Sequence, residues 1–177
     1  SDGVTAELSN GDQVETEKAL VAVGRRPNTE GLDLENAGIT TLDSGEIEVN
    51  EHLQTNIPHI YAVGDVNGQV MLAHVASQEG IVAVSHLDGT ITAAMDYSVV
   101  PAIAFTTPEL GTVGLSEDEA AKQYENIMVK KYPMRALGKA QVSGHTDGFV
   151  KMIADEDTGQ ILGAHIVSAG ASNLISE

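Results

Sequence analysis

The sequence predicts an α/β unit that hands over to an α+β block built on an antiparallel sheet. Three observations carry this expectation. Two apolar runs, Leu20-Val21-Ala22-Val23 and Tyr61-Ala62-Val63, each end in a glycine, Gly24 and Gly64, as buried strands of an open sheet do. After the second run, Ala73, Ala76, Ser77, Gly80 and Ala83 recur at helical spacing, giving a helix with one flank able to lie close to a neighbouring backbone. Beyond residue 96, strand-like segments alternate with turn residues and little helical pattern.

The elements follow in order. Val4 to Leu8, a turn at Ser9-Asn10-Gly11-Asp12 and a return through Val14 read as a β-hairpin. Ala19 to Val23 is apolar throughout, the pattern of a strand buried on both faces. Leu32, Leu34 and Ala37 mark a short amphipathic piece. Ile47-Glu48-Val49 and Ile60-Tyr61-Ala62-Val63 read as strands, and Val66-Asn67-Gly68-Gln69 as a loop. A helix is expected from about Leu72 to His86. Pro101, within Val99 to Phe105, points to an edge strand or a strand start. Ser116-Glu117-Asp118-Glu119 has the capping-box spacing, with a helix through Ala120, Ala121 and Tyr124 behind it. Strands at about 127–132, 149–154 and 161–167 complete the sheet, the last two joined through Asp157-Thr158-Gly159. Ala171, Leu174 and Ile175 open an i, i+3, i+4 stripe that stops at Glu177 without Gly, Asn or a basic last turn. Nothing before Leu20 could cover its run, so both ends read as cut. The expected organisation is residues 1–24, 25–95 and 96–177.

Composition narrows the function. The 177 residues hold 42% hydrophobic and 20% charged residues with dispersed Gly and Pro, a globular composition. No apolar run approaches the roughly 20 residues of a membrane span. Ser1 to Gly11 carries neither a basic nor an apolar signal region. Asp and Glu number 26 against 9 Lys and Arg, a net charge of −17. Such a surface repels polyphosphate, which argues against nucleic acid and anionic membranes as partners. A solvated acidic face is the main reading of that charge, with salt adaptation second. The chain has no Cys, which removes disulfides, thiolate metal sites and a cysteine nucleophile together.

Gly64-Asp65 closes a strand where open α/β sheets bind ligands. Glycine lets a ligand touch backbone, and the Asp can accept from sugar hydroxyls. An Asx turn accounts for these two residues equally well. Their surroundings are more specific: Thr55-Asn56-Ile57-Pro58-His59-Ile60-Tyr61-Ala62-Val63-Gly64-Asp65, then Met71-Leu72-Ala73-His74 and Glu79-Gly80. Together they resemble the second flavin-binding motif of the pyridine-nucleotide disulfide oxidoreductases. Val21-Ala22-Val23-Gly24-Arg25-Arg26-Pro27-Asn28-Thr29 resembles the segment where that family's nicotinamide domain returns to its flavin domain. Thr107 to Gly114, Gly148 to Lys151 and Ile161 to His165 resemble its dimerisation domain. Leu137-Gly138-Lys139-Ala140 and Ala169 to Ile175 are similar to the branch that oxidises dihydrolipoamide to lipoamide with NAD as acceptor.

The resemblance implies the end of an NAD domain over 1–24, the carboxyl-side part of an FAD or central domain over 25–95, and a dimerisation domain over 96–177. It implies that Asp65, beside Gly64, holds the FAD ribitol. The backbone at Ala73, flanked by Met71, Leu72 and His74, then faces the flavin ring edge, where a helix start directs free amides and a positive dipole end. Gly24 and Arg26 are implied to lie against NAD. It further implies a cytoplasmic homodimer serving the lipoyl domains of 2-oxo acid dehydrogenase complexes.

The departures matter equally. The family's chemistry needs a redox-active cysteine pair, glycine-rich pyrophosphate turns and a carboxyl-terminal His and Glu pair, none of which occurs here. The segment alone is therefore expected to retain no FAD or NAD and to be inactive, with no catalytic residue of its own. Another flavin disulfide reductase, of the mercuric or glutathione type, and a non-enzymatic dimerisation module built on Val99 to Phe105 and Ile161 to Val167 remain as alternatives. His52 and His59 are expected at exposed turns, His74 packed near the flavin, and His86 at a helix end. His145 and His165 have no metal-site spacing. Asp155-Glu156-Asp157 lacks the alternating ligands of a calcium loop and reads as a solvated turn.

Overall fold

The structure, a computed structural model, describes residues 3–90 and 93–176. Glu177, where the terminal stripe was expected to stop, lies outside them. β1 (Val4–Glu7) and β2 (Gln13–Thr16) form the expected antiparallel hairpin, with Val4 opposite Thr16. Asn10 closes its turn by accepting from the Asp12 amide at 3.1 Å.

The run after the hairpin corrects the reading. Ala19 to Val23 forms no strand, and Leu20 and Val23 are 92% and 93% exposed. Apolarity makes a strand only where a ladder partner exists, and no strand among the described residues pairs with this segment. Ile47-Glu48-Val49 and Ile60 to Val63 are likewise not strands. Each makes one bridge, Ile47 to Thr41 and Tyr61 to Gln54. Local side chains take backbone groups that a ladder would use. Asn50 Oδ1 accepts from the amides of His52 and Gln54 at 3.0 and 3.1 Å, and Thr55 Oγ1 accepts from Ile57 N at 3.1 Å. The turn they build buries Leu53 against Val82 and Ala83, with Val49, Tyr61 and Met95 around them.

Val82 and Ala83 belong to α1 (Ala73–Asp88), which starts and ends close to expectation and stops at Gly89 in the left-handed conformation. Its buried residues Val75, Glu79, Val82 and Ala83 keep one face. The small-residue stripe divides. Ala83 joins this core and Ala76 meets the backbone at Gly64, while Ala73 and Ser77 stay exposed.

The last block is a five-stranded antiparallel sheet in the order β3-β4-β7-β6-β5. Its strands are β3 (Ala102–Ala104), β4 (Glu109–Gly114), β5 (Ile127–Pro133), β6 (Phe149–Asp155) and β7 (Ile161–Ser168). β3 is an edge strand entered directly from Pro101, as expected. α2 (Glu117–Gln123) begins with the complete capping box, Ser116 and Glu119 bonding each other's backbone amides. It packs Ala120 on Ile153 and Leu162. α3 (Gly138–Ser143) was not foreseen. α4 (Ala171–Leu174) lies over Gly111, where an added Cβ would sit 3.0 Å from Ile175 Cβ, so glycine permits the close approach. Of the terminal stripe, Ala171 and Ile175 are buried with Ile166, whereas Leu174 is exposed.

Candidate functional site: the Gly64-Asp65 turn and the start of α1

Val63 arrives extended, and Gly64–Asn67 then make one 3-10 turn in place of the expected loop at Val66 to Gln69. Gly64 has φ +79°, and a Cβ there would meet Ala76 Cβ at 3.2 Å, so both backbone and space call for glycine. The turn is fastened from below by Glu79, whose side chain is fully buried. Glu79 Oε2 accepts from the Gly64 amide at 2.5 Å and from Asn67 Nδ2 at 3.0 Å, while Oε1 accepts from the Tyr97 hydroxyl at 2.7 Å. A carboxylate out of water is tolerated only when donors surround it, and three do. Burial, and then the adjoining Glu79 carboxylate, push the Tyr97 hydroxyl's ionisation well above its ordinary value, so it stays a donor.

Asp65 is presented outward, its side chain 50% exposed, with Arg25 Nη1 3.4 Å from Oδ2. The cation beside Asp65 is therefore Arg25. An exposed pair of this kind is worth under about 1 kcal/mol and yields readily to a ligand. Arg26 and Gly24 are exposed, Gly24 with φ +134°. Arg26 lines a cleft of about 370 Å³ with Pro27, Asp43, Ser44 and Glu46. Met71 and Leu72 are half-buried, and Ala73 and His74 are exposed. Among the described residues no side chain caps the start of α1, and its first turn holds no acidic residue, so its first amides and positive dipole end face outward uncapped.

His74 does not lie free beside that opening: its Nε2 donates to the Pro101 carbonyl at 3.0 Å, tying α1 to the entry of β3. His52, expected to be exposed, is only 17% so in its side chain, because its ring stacks on His86 at 4.4 Å between centroids. His86, in the last turn of α1, shares a 2.9 Å hydrogen bond with the Tyr61 hydroxyl. His59 is exposed as expected. His165 Nε2 donates to the Leu115 carbonyl at 3.0 Å and serves the sheet. Among the described residues no group of three His, Asp or Glu could hold a metal ion. Asp155 accepts from Thr158 Oγ1 at 2.6 Å and from the Asp157 amide at 3.0 Å, a closed turn.

Sequence reasoning missed Asn67 and Tyr97 and left Glu79 inside a motif without a role. One signal was available: Glu79 lies four residues after Val75 on the apolar face of α1, where a charge must find partners.

Asp65 is thus presented outward from a turn packed on α1, whose start is uncapped, and a separate antiparallel sheet follows in the chain. Residues 1–80 match the model of the pyridine nucleotide-disulphide oxidoreductases, and residues 100–177 match the model of that family's dimerisation domain. The chain belongs to this family. It is 49% identical over 161 residues to the Dihydrolipoyl dehydrogenase of Bacillus subtilis, covering 91% of this chain and 34% of the relative. It is 47% identical over 176 residues to that of Halobacterium salinarum, covering 98% and 37%. LpdA of Mycobacterium tuberculosis superposes with a TM-score of 0.88 at 33% identity over 99% of this chain and 38% of that one. The HOCl-induced flavoprotein disulfide reductase RclA of Escherichia coli does so with 0.88 at 31% identity, covering 99% and 40%. The chain thus spans about a third of the length of these curated relatives. No helix among the described residues is long and apolar enough to cross a membrane.

Proposed function

We propose that the chain supplies the carboxyl-side wall of an FAD site and the subunit interface of an enzyme that oxidises dihydrolipoamide to lipoamide with NAD as acceptor. The observation that carries the reading is the Gly64-Asp65 turn, buttressed by buried Glu79 and opening beside the uncapped start of α1. These residues fit a flavin. Asp65 is exposed enough to accept from ribitol hydroxyls, and the α1 amides can donate to a ring edge that becomes anionic on reduction. Ala73 contributes its backbone, with Met71, Leu72 and His74 shaping the surrounding wall. Gly64 lets the turn that presents Asp65 lie close against Ala76 of α1, and Gly24 and Arg26 lie toward the nicotinamide nucleotide.

Bound FAD supplies the two-electron relay between a dithiol and NAD. The thiols themselves come from outside this chain, which has no Cys. Residues 1–24 belong to the NAD domain, 25–95 to the central domain and 96–177 to the dimerisation domain, so two copies of the last block pair in a homodimer. Lipoyl domains are the natural substrate carriers, and the working compartment is the cytoplasm. The resemblance at Leu137 to Ala140 favours this branch over mercuric or glutathione reductases.

The test is gain of function. A chimera in which the chain replaces the matched segment of the Bacillus subtilis relative should show lipoamide-dependent NADH turnover. A pure dimerisation module predicts a well-folded chimera with no turnover, and that result would remove the proposal.

A further inference from the structure

The charge of the molecule is distributed unevenly. Lys122, Lys130, Lys131, Arg135, Lys139 and Lys151 are six of the nine basic residues, and between 122 and 151 only Glu125 and Asp147 oppose them. This stretch is net positive by four while the remainder carries −21. The structure gathers its central members along one border. β5 is the outer strand of the sheet and pairs only with β6 among the described residues, so its other side offers unpaired main-chain groups. Lys130 and Lys131 lie on β5, Arg135 in the turn that follows it and Lys139 on α3, and all four are exposed. With 26 carboxylates in the chain, Lys130, Arg135 and Lys139 still make no ion pair among the described residues. Lys131 rests on the Phe149 ring, 3.6 Å from its centroid, with no carboxylate paired to it among the described residues. The acidic turn at Asp155 meets the far end of β5, opposite Ile127. It lies about 10 Å from Lys130 at the rise of a strand, roughly one screening length at physiological salt.

We propose that the β5 border, from Lys130 to Lys139, is a docking site for an extended acidic polypeptide segment. Such a segment lies along β5 as an added strand, bonding its free main-chain edge while carboxylates meet Lys130, Arg135 and Lys139. Charge complementarity selects acid, and the open edge selects peptide. Edge lysines also hinder edge-to-edge aggregation, but that role is filled by Lys130 and Lys131 alone and gives Arg135 and Lys139 no reason to stay unpaired.

The test uses the 177-residue chain, fluorescent poly-L-glutamate as probe, and low salt of about 20 mM to lengthen the range of the charges. Binding is expected, and the triple variant Lys130→Glu, Arg135→Glu, Lys139→Glu should weaken it by about tenfold or more. Lys18→Glu, a charge reversal two residues past β2 and outside the five-stranded sheet, should change it less than about twofold. The three sites are exposed, so thermal melts of the variant should match the parent, and a Lys130→Gln, Lys139→Gln pair should weaken binding in the same direction if the triple variant unfolds. The proposal is overturned if the parent does not bind, if neither the triple variant nor the glutamine pair weakens binding, if Lys18→Glu weakens it equally, or if an oligothymidylate of matched charge binds more tightly.

Discussion

Replacing Glu79 probes the fastening of the Gly64 turn. In Glu79→Ala the Gly64 amide and the Asn67 side-chain amide, both buried, lose their shared acceptor, while Tyr97 is close enough to solvent to find water. The orphaned Gly64 amide costs about 1–3 kcal/mol, and Asn67 Nδ2, which keeps a 3.4 Å bond to the Ala62 carbonyl, loses its better bond at about 1 kcal/mol, an expected loss of about 3 kcal/mol. Glu79→Gln keeps the shape. Its carbonyl oxygen serves the two amides, and its NH2 faces the Tyr97 hydroxyl, which rotates to accept. The loss of charge assistance is offset by the relief of burying a charge, so the cost falls to about 1 kcal/mol. Tyr97→Phe removes one bond and costs about 1 kcal/mol. Urea unfolding of the three variants reads the order, and hydrogen exchange at the Gly64 amide should quicken most in Glu79→Ala. A Glu79→Ala loss below about 1 kcal/mol, or a Gln variant as unstable as the Ala variant, would refute the role given to this carboxylate.

Three further outcomes are expected. Ser116→Ala should cost about 1 kcal/mol near neutral pH. The Ser116 hydroxyl, with its backbone amide second, holds the Glu119 carboxyl below its ordinary 4.5, so the part of the box carried by the Glu119 carboxylate is full above pH 4.5 and lost as pH falls through the lowered folded value, while the bond from the Glu119 amide to Ser116 Oγ remains. The stability gap between parent and Ser116→Ala should therefore narrow on acidification, and a constant gap would contradict the capping box. Gly64→Ala should lose about 1–2 kcal/mol from the left-handed backbone alone, with the 3.2 Å approach to Ala76 adding to it, and Ala76→Gly should restore only part of the loss in urea melts. Because the net charge is −17, the melting temperature should rise as NaCl is raised and the screening length falls from about 30 Å at 0.01 M to about 3 Å at 1 M. A flat salt response would mean that the carboxylates are not repelling one another.

The parts of the fold that were legible in the sequence rest on local physics. The Ser116 box closes within one turn, the β6–β7 hairpin is announced by Asp157-Thr158-Gly159, and α1 declares itself by spacing over four turns. What was not legible depends on partners distant in sequence. Leu20 to Val23 looks like a strand to any reading of hydrophobicity, and only the absence of a ladder partner among the described residues makes it exposed chain. β4 is hidden because Gly111 and Gly114 dilute its pattern, and Gly111 makes sense only once α4 is seen against it. At the site, Gly64 and Asp65 stood out as a motif, but the buttress did not. Glu79 reaches Gly64 across 15 residues and Tyr97 across 18, and no local pattern records such pairings. His52 moved from surface to stack for the same reason, since its partner His86 arrives from the other end of α1.

Flavin affinity measures the central claim most directly. In the chimera carrying this chain within the Bacillus subtilis relative, FAD titration should give tight binding that Asp65→Ala weakens by about 10- to 100-fold, the loss of a charge-assisted contact worth about 1.5–3 kcal/mol. Equal FAD affinity with and without the Asp65 carboxylate would contradict it.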